Sequence, residues 1–243
     1  MRDQLKLIGF ATVVCLVCSI VLAVVSSTLK PLQEANKEND IKTKVLQVFG
    51  IKDKSGKPIK DTEGIRAVFS KDIKGLVLNA DGDVIDGKQV SDLTENDINA
   101  RDKDTGLKKY YPLYIYTNPE TSKKLYAIHV SGKGLWSTIK GYMALEADLS
   151  TIYGIVFYEN QETPGLGAEV AKPYFQDQFK GKKWIDKDGK VLEFKIIKPG
   201  GALNDHTVDG ITAATLTGNG VQVFLNQDFK IYNKYFTKKG LRQ

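Results

Sequence analysis

The sequence predicts an α+β protein: a single N-terminal transmembrane helix, then an exported domain with a mostly antiparallel sheet and flanking helices. Three observations carry this expectation. From Leu7 to Leu29 no residue is charged, and Lys6 and Lys30 bracket the run. Between residues 64 and 197, short runs of β-branched and aromatic residues alternate with turn signals. Near the C-terminus Val221, Phe224, Leu225, Phe229 and Tyr232 recur at helical spacing.

The apolar run is long enough to span. At about 1.5 Å per residue it covers a hydrocarbon core of ~30 Å. Arg2 and Lys6 precede it, so the positive-inside rule places the N-terminus in the cytoplasm and the rest of the chain outside. A cleaved signal peptide is the competing reading, with Val24-Val25-Ser26 as a loose cleavage site. The run exceeds the usual h-region length, which favours a retained anchor. Both cysteines, Cys15 and Cys18, fall inside it. They serve best as small packing residues. The exported part has no cysteine, so its fold rests on its own core.

The 243 residues thus divide into an anchor (1–30), a helical stalk (31–50) and an exported domain (51–243). The stalk has a weak stripe of Leu32, Ile41, Val45, Leu46 and Phe49, closed by Gly50 as C-cap. Residues 51–63 read as a loop. Gly64 to Phe69 and Gly75 to Leu78 read as short strands, and Asp81-Gly82 as a turn before Val84-Ile85. Residues 86–109 are polar and irregular. Tyr110–Tyr116, Leu125–Val130, Ile139–Leu145 and Thr151–Tyr158 are further strands. Pro173 opens a short helix with Phe175 and Phe179 four apart, and Gly181 ends it. A turn at 186–189 precedes a strand from Val191 to Ile197, and the last helix starts just after residue 220.

Composition narrows the function classes. The net charge is +6, but acidic and basic residues are interleaved, as in Arg101-Asp102-Lys103-Asp104. No basic stripe is interleaved with aromatics, so nucleic-acid binding is not expected. His129 and His206 are too few and too far apart to suggest a metal site.

Three loops carry chemistry. In Asp209-Gly210-Ile211-Thr212-Ala213-Ala214-Thr215-Leu216-Thr217, hydroxyls stand among small residues ahead of a helix. An anion on such a hydroxyl meets the positive end of the helix. The ordinary alternative is a helix cap, with Thr217 or Asn219 accepting from the first turn. In Glu162-Thr163-Pro164-Gly165-Leu166-Gly167, two glycines flank a leucine that either lies against a flat ring or plugs the core. Gly132-Lys133-Gly134-Leu135-Trp136 adds a loop tryptophan that either stacks on a ring or caps the sheet. Together they supply the parts of a planar-cofactor pocket.

At these residues the chain resembles the C subunit of the sodium-translocating NADH:quinone oxidoreductases, an FMN-binding-domain family. The likeness covers the anchor, Leu32-Gln33-Glu34-Ala35-Asn36, Ser131 to Trp136, Glu162 to Gly167 and the threonine loop. It implies FMN joined by a phosphoester to a threonine in a Ser/Thr-Gly-Ala-Thr motif, which falls on Thr212-Ala213-Ala214-Thr215. Thr215 is then the attachment residue, with Thr212 and Thr217 as fallback acceptors. Asp209, Ala214 and Leu216 belong to the same implied site. The ring is implied to lie near Trp136, Glu162, Thr163, Leu166 and the flanking Gly165 and Gly167. The family's glycine is Ala213 here, and alanine resists positive φ.

The resemblance further implies a flavoprotein subunit without a complete active site of its own. It would carry electrons from NADH toward a quinone during sodium export. Its partners would be the other subunits, a flavin transferase and the lipid bilayer. It would sit as a single-pass protein in a bacterial inner membrane, with its C-terminal domain on the periplasmic side. Two rival functions are the G-type subunit of the related ferredoxin:NAD ion-pumping complex and a flavin-free anchored scaffold.

Overall fold

The structure, a computed structural model, describes residues 2–53 and 55–241. Lys54, in the expected loop, lies outside the described residues. The chain divides into two compact units at Ile41/Lys42. Helix α1 (Arg2–Val48) runs through both the predicted anchor and the predicted stalk, with Pro31 inside it. It is long and apolar enough to cross a membrane. Its apolar side chains from Leu7 to Leu32 are exposed, as lipid-facing residues would be.

The second unit is built on an antiparallel meander. Strands β1 (Ile73–Leu78), β2 (Tyr111–Thr117), β3 (Lys124–Lys133), β4 (Thr138–Leu145) and β5 (Ile152–Glu159) lie side by side in chain order. Strand alternation sends Leu113, Ile128, Val130, Met143, Ile155 and Phe157 to one face, against the C-terminal helix. Tyr114, Ala127, His129, Tyr142 and Val156 take the other. There the last turns of α1 bury Val45, Leu46 and Val48, and the turn after it buries Phe49. Gly50, at φ +70°, ends that helix: its N–H bonds to Gln47 and that of Ile51 to Leu46, both at 3.0 Å.

Residues 64–69, expected as a strand, are helical. They belong to α2 (Thr62–Asp72), capped by Asp61, whose carboxylate accepts from Gly64 N at 2.6 Å. Ile65 and Phe69 lie four apart, and the Phe69 ring meets Tyr114 edge-on at 5.6 Å. A short apolar run cannot distinguish the two periods; the cap decides it. The polar stretch 86–109 holds a further short helix, α3 (Glu95–Asn99), opened by a Thr94/Asp97 capping box.

After β5 come α4 (Pro173–Gln176) and a tight turn through Phe179, with Gly181 at φ +75°. The predicted strand at 191–197 is shorter than expected. Val191 makes only a bridge to Ile185, and β6 (Lys195–Ile197) pairs in parallel with β7 (Thr207–Asp209). Helix α5 (Thr215–Lys238) then crosses the meander and buries Val221, Phe224, Leu225, Phe229, Tyr232 and Phe236. It begins at Thr215, not after residue 220. Gly218 and Gly220 look like helix breakers, but at Gly220 the packing demands the smallest residue. A Cβ there would run into the backbone of Lys133 and Gly134.

Two side chains of α5 also complete the sheet. The β2–β3 pairing ends at Leu113–Ile128, beside Pro112, which has no N–H to donate. The Tyr232 hydroxyl stands in the gap, accepting from His129 N at 3.1 Å and donating to the Pro112 carbonyl at 2.7 Å. Asp228 Oδ2 accepts from Ser131 N at 3.0 Å and from the buried Lys108 Nζ at 2.8 Å.

Candidate functional site

The three chemistry-bearing loops meet at one carboxylate. Glu162 follows β5 and is 5% exposed. Its Oε1 accepts from Trp136 N (3.0 Å), Ser137 N (2.9 Å) and Ser137 Oγ (3.2 Å). Its Oε2 accepts from Leu135 N (3.3 Å) and from Thr217 Oγ1 (2.8 Å). One side chain thus fixes the turn between β3 and β4 and the first turn of α5. Gly134 and Gly167 make room for it. A Cβ at 134 would lie 2.7 Å from Oε1, and one at 167 would lie 2.6 Å from Thr217 Oγ1.

Burial pushes the Glu162 pKa up. The N–H of Ser137, the Thr217 hydroxyl and the N–H groups of Trp136 and Leu135 outweigh it and hold the pKa below the usual 4.5. A depressed carboxylate contributes stability above its unfolded pKa and loses it as pH falls through the folded one. The clasp is therefore expected to hold down to pH 4.5 and to open below it. Acid titration of Trp136 fluorescence checks this, with Trp184 buried as an internal reference. A transition above pH 4.5 would count against it.

The threonine loop has two unlike halves. Residues 211–214 form a turn, with Ala214 N bonded to the Ile211 carbonyl at 3.0 Å. Ala214 stands at the N-cap of α5, and among the described residues no side chain caps the helix. Neither Thr217 nor Asn219 does so: Thr217 is 2% exposed and its hydroxyl is turned to Glu162. Thr215 is the first residue of the helix and is exposed, as is Thr212. The N–H groups of an uncapped first turn are free to meet an anion there.

Ala213 has φ +61°. The turn into α5 thus requires the left-handed backbone that glycine adopts freely, and alanine holds it at a cost of about 1–2 kcal/mol. Ala213 is exposed, so its methyl contributes no packing. Ala213→Gly is expected to stabilise the domain by about 1 kcal/mol net of the added unfolded-state entropy. That corresponds to a Tm rise of about 2–4 °C by thermal unfolding.

Around these groups the surface is apolar. Trp136 is 68% exposed and Leu216 61%, with Leu135 and Leu166 partly exposed. Thr163 is exposed, and its carbonyl accepts from Leu166 N and Ala168 N, both at 3.1 Å, while Gly165 turns the chain at φ +74°. Leu166 is therefore not a core plug. The Asp209 carboxylate accepts from Gly200 N at 3.1 Å.

Gly165, Asp209 and Thr212 also line an open cleft of about 580 Å³, with Tyr174, Gln178 and Ile211. That volume is of the size small-molecule sites have. Gln178 fixes its floor, bonding to Asp209 N (2.8 Å) and to the Asp209 carbonyl (3.3 Å). Sequence reasoning missed Tyr174 and Gln178. The signal was present: with Phe175 and Phe179 buried, 174 and 178 must share the adjacent, outward face.

The FMN-binding domain family matches residues 134–228. The chain is 34% identical over 236 residues to the C subunit of the Na(+)-translocating NADH-quinone reductase of Vibrio vulnificus strain YJ016, covering 89% of this chain and 87% of that one. The chain belongs to the C-subunit family of Na(+)-translocating NADH-quinone reductases. Its relative from Neisseria meningitidis serogroup B is likewise 34% identical, over 86% of this chain and 83% of its own. The crystal structure of the family member from Parabacteroides distasonis superposes with a TM-score of 0.70 at 27% identity, covering 86% of this chain and 97% of that one. The FMN-binding match includes Trp136, the 162–167 loop and the 209–217 loop, so the residues expected at the flavin all fall inside it.

The residues fit an FMN. An exposed hydroxyl stands at an uncapped helix start for the phosphate, beside exposed apolar side chains for the ring.

Proposed function

We propose that this chain is the electron-carrying flavoprotein subunit of a sodium-pumping NADH:quinone oxidoreductase. It holds FMN covalently through a phosphoester on Thr215. One observation carries the assignment to this hydroxyl. Thr215 is exposed at the first residue of a 24-residue helix without a side-chain cap, whereas Thr217 is buried and engaged. Thr212, also exposed, sits on the turn before the helix rather than in it.

When bound, the flavin supplies the electron-accepting chemistry. The chain's residues do the rest. The first-turn N–H groups of α5 would hold the phosphate charge. Trp136, Leu166 and Leu216 offer apolar cover to the ring, with Thr163 and Gly165 on the same loop as Leu166. Glu162 and Gly167 hold those loops in register. The helix α1 anchors the domain in a bacterial inner membrane, with the domain on the periplasmic side. A covalent tether suits that place, because a dissociating cofactor would be lost there. A flavin transferase and the other subunits of the complex are the partners this reading requires.

Coexpression of the full chain with a flavin transferase, followed by denaturation and washing, tests it. The polypeptide is expected to stay yellow. A colourless polypeptide, or one that releases all its flavin on denaturation, would contradict the covalent tether.

A further inference from the structure

We infer that Glu162 is a positioning residue whose buried negative charge lowers the reduction potential of the flavin held at Thr215. The inference rests on the proposed attachment. A carboxylate has about four lone-pair sites, and Glu162 already accepts from Leu135 N, Trp136 N, Ser137 N, Ser137 Oγ and Thr217 Oγ1. It has nothing left to offer a ligand directly. What it offers is charge and placement.

Burial and these hydrogen bonds are the strongest influences on its titration, and among the described residues its partners are hydrogen-bond donors of Leu135, Trp136, Ser137 and Thr217. The negative charge is thus solvated by dipoles rather than neutralised. The backbones of Gly134 and Gly167 close tightly around it, since a Cβ at either would press on its oxygens at 2.7 and 2.9 Å. It stands one hydrogen bond from Thr217, two residues along α5 from Thr215, a rise of about 3 Å along the axis. The loop it clasps carries the exposed Trp136 ring. Reduction adds an electron's charge to the bound group. A fixed like charge nearby, held on a carboxylate that is itself buried, opposes that addition.

The test uses the full chain, coexpressed with a flavin transferase, as wild type, Glu162→Gln and Thr217→Val. Covalent FMN is first confirmed on each by mass, and the midpoint potential is then read by spectroelectrochemistry. Glu162→Gln keeps the shape and removes the charge. Its flavin is expected to be easier to reduce by about tenfold, or ~59 mV for a one-electron couple. Thr217→Val keeps the charge and removes one donor, so its potential is expected to fall below that of wild type. An unchanged potential in flavinylated Glu162→Gln overturns the inference while leaving the attachment intact. A rise in Thr217→Val equal to that in Glu162→Gln shows loop loosening and also overturns it. If Glu162→Gln does not fold, Thr217→Val decides alone: a lowered potential supports the inference, and a raised or unchanged one overturns it. Wild-type protein without covalent FMN removes the proposed function itself, and the inference with it.

Discussion

Asp228→Ala is expected to destabilise the folded domain by about 3–5 kcal/mol, as breaking a buried ion pair does. The Lys108 ammonium lies 2.7 Å from Asp228 Oδ1, and both side chains are almost fully buried. Burial drives the lysine pKa down and the aspartate pKa up, and each partner's charge opposes that drift. Removing the carboxylate strands a buried ammonium. It also leaves Ser131 N without its acceptor, at the place where β2 no longer pairs with β3. Urea unfolding followed by Trp184 emission reads the loss, because that ring is buried against Phe229 at 5.2 Å. The double replacement Lys108→Met/Asp228→Leu is expected to recover much of it, since no charge is then stranded. A loss under about 1 kcal/mol in the single variant would mean that the pair is not what holds α5 to the sheet.

The second large effect is functional. Thr215→Ala is expected to lose covalent FMN completely while unfolding within about 0.5 kcal/mol of wild type, because exposed substitutions away from caps and networks have small stability effects. The Thr215 side chain is exposed and caps nothing. Thr212→Ala is expected to keep the flavin. Thr217→Val is expected to keep it too, because that hydroxyl bonds to Glu162 in the interior. Retention of flavin by Thr215→Ala would move the attachment to the preceding turn.

How much of this was legible in the sequence depended on range. Local signals served well. The strands from 111 to 159 and the Pro173 helix carry their periods and breakers within a few residues. Local signals failed where packing overrode propensity. Gly218 and Gly220 argued for a loop, yet they lie in the first turns of α5, and at Gly220 only glycine lets the helix approach the Lys133–Gly134 backbone. The Gly64–Phe69 run resembled a strand, and the Asp61 cap turned it into a helix.

The site followed the same rule. Thr215, Trp136 and Leu166 were recognisable as accessible groups on loops, and all three are exposed. The role of Glu162 was not legible. Its partners lie 25 to 27 residues away in one direction and 55 in the other, and a single sequence carries no trace of such pairings. The Lys108–Asp228 pair, 120 residues apart, was invisible for the same reason. Ala213 shows the reverse case. The resemblance marked the position as unusual, and the backbone supplies the reason: φ is +61° there.

The most direct test of the covalent flavin site is peptide mapping by mass spectrometry of the full chain coexpressed with a flavin transferase. The expected result is one FMN phosphoester, localised by fragmentation to Thr215. A modification on Thr212, or unmodified Thr215 in protein from cells that flavinylate other substrates, would contradict it.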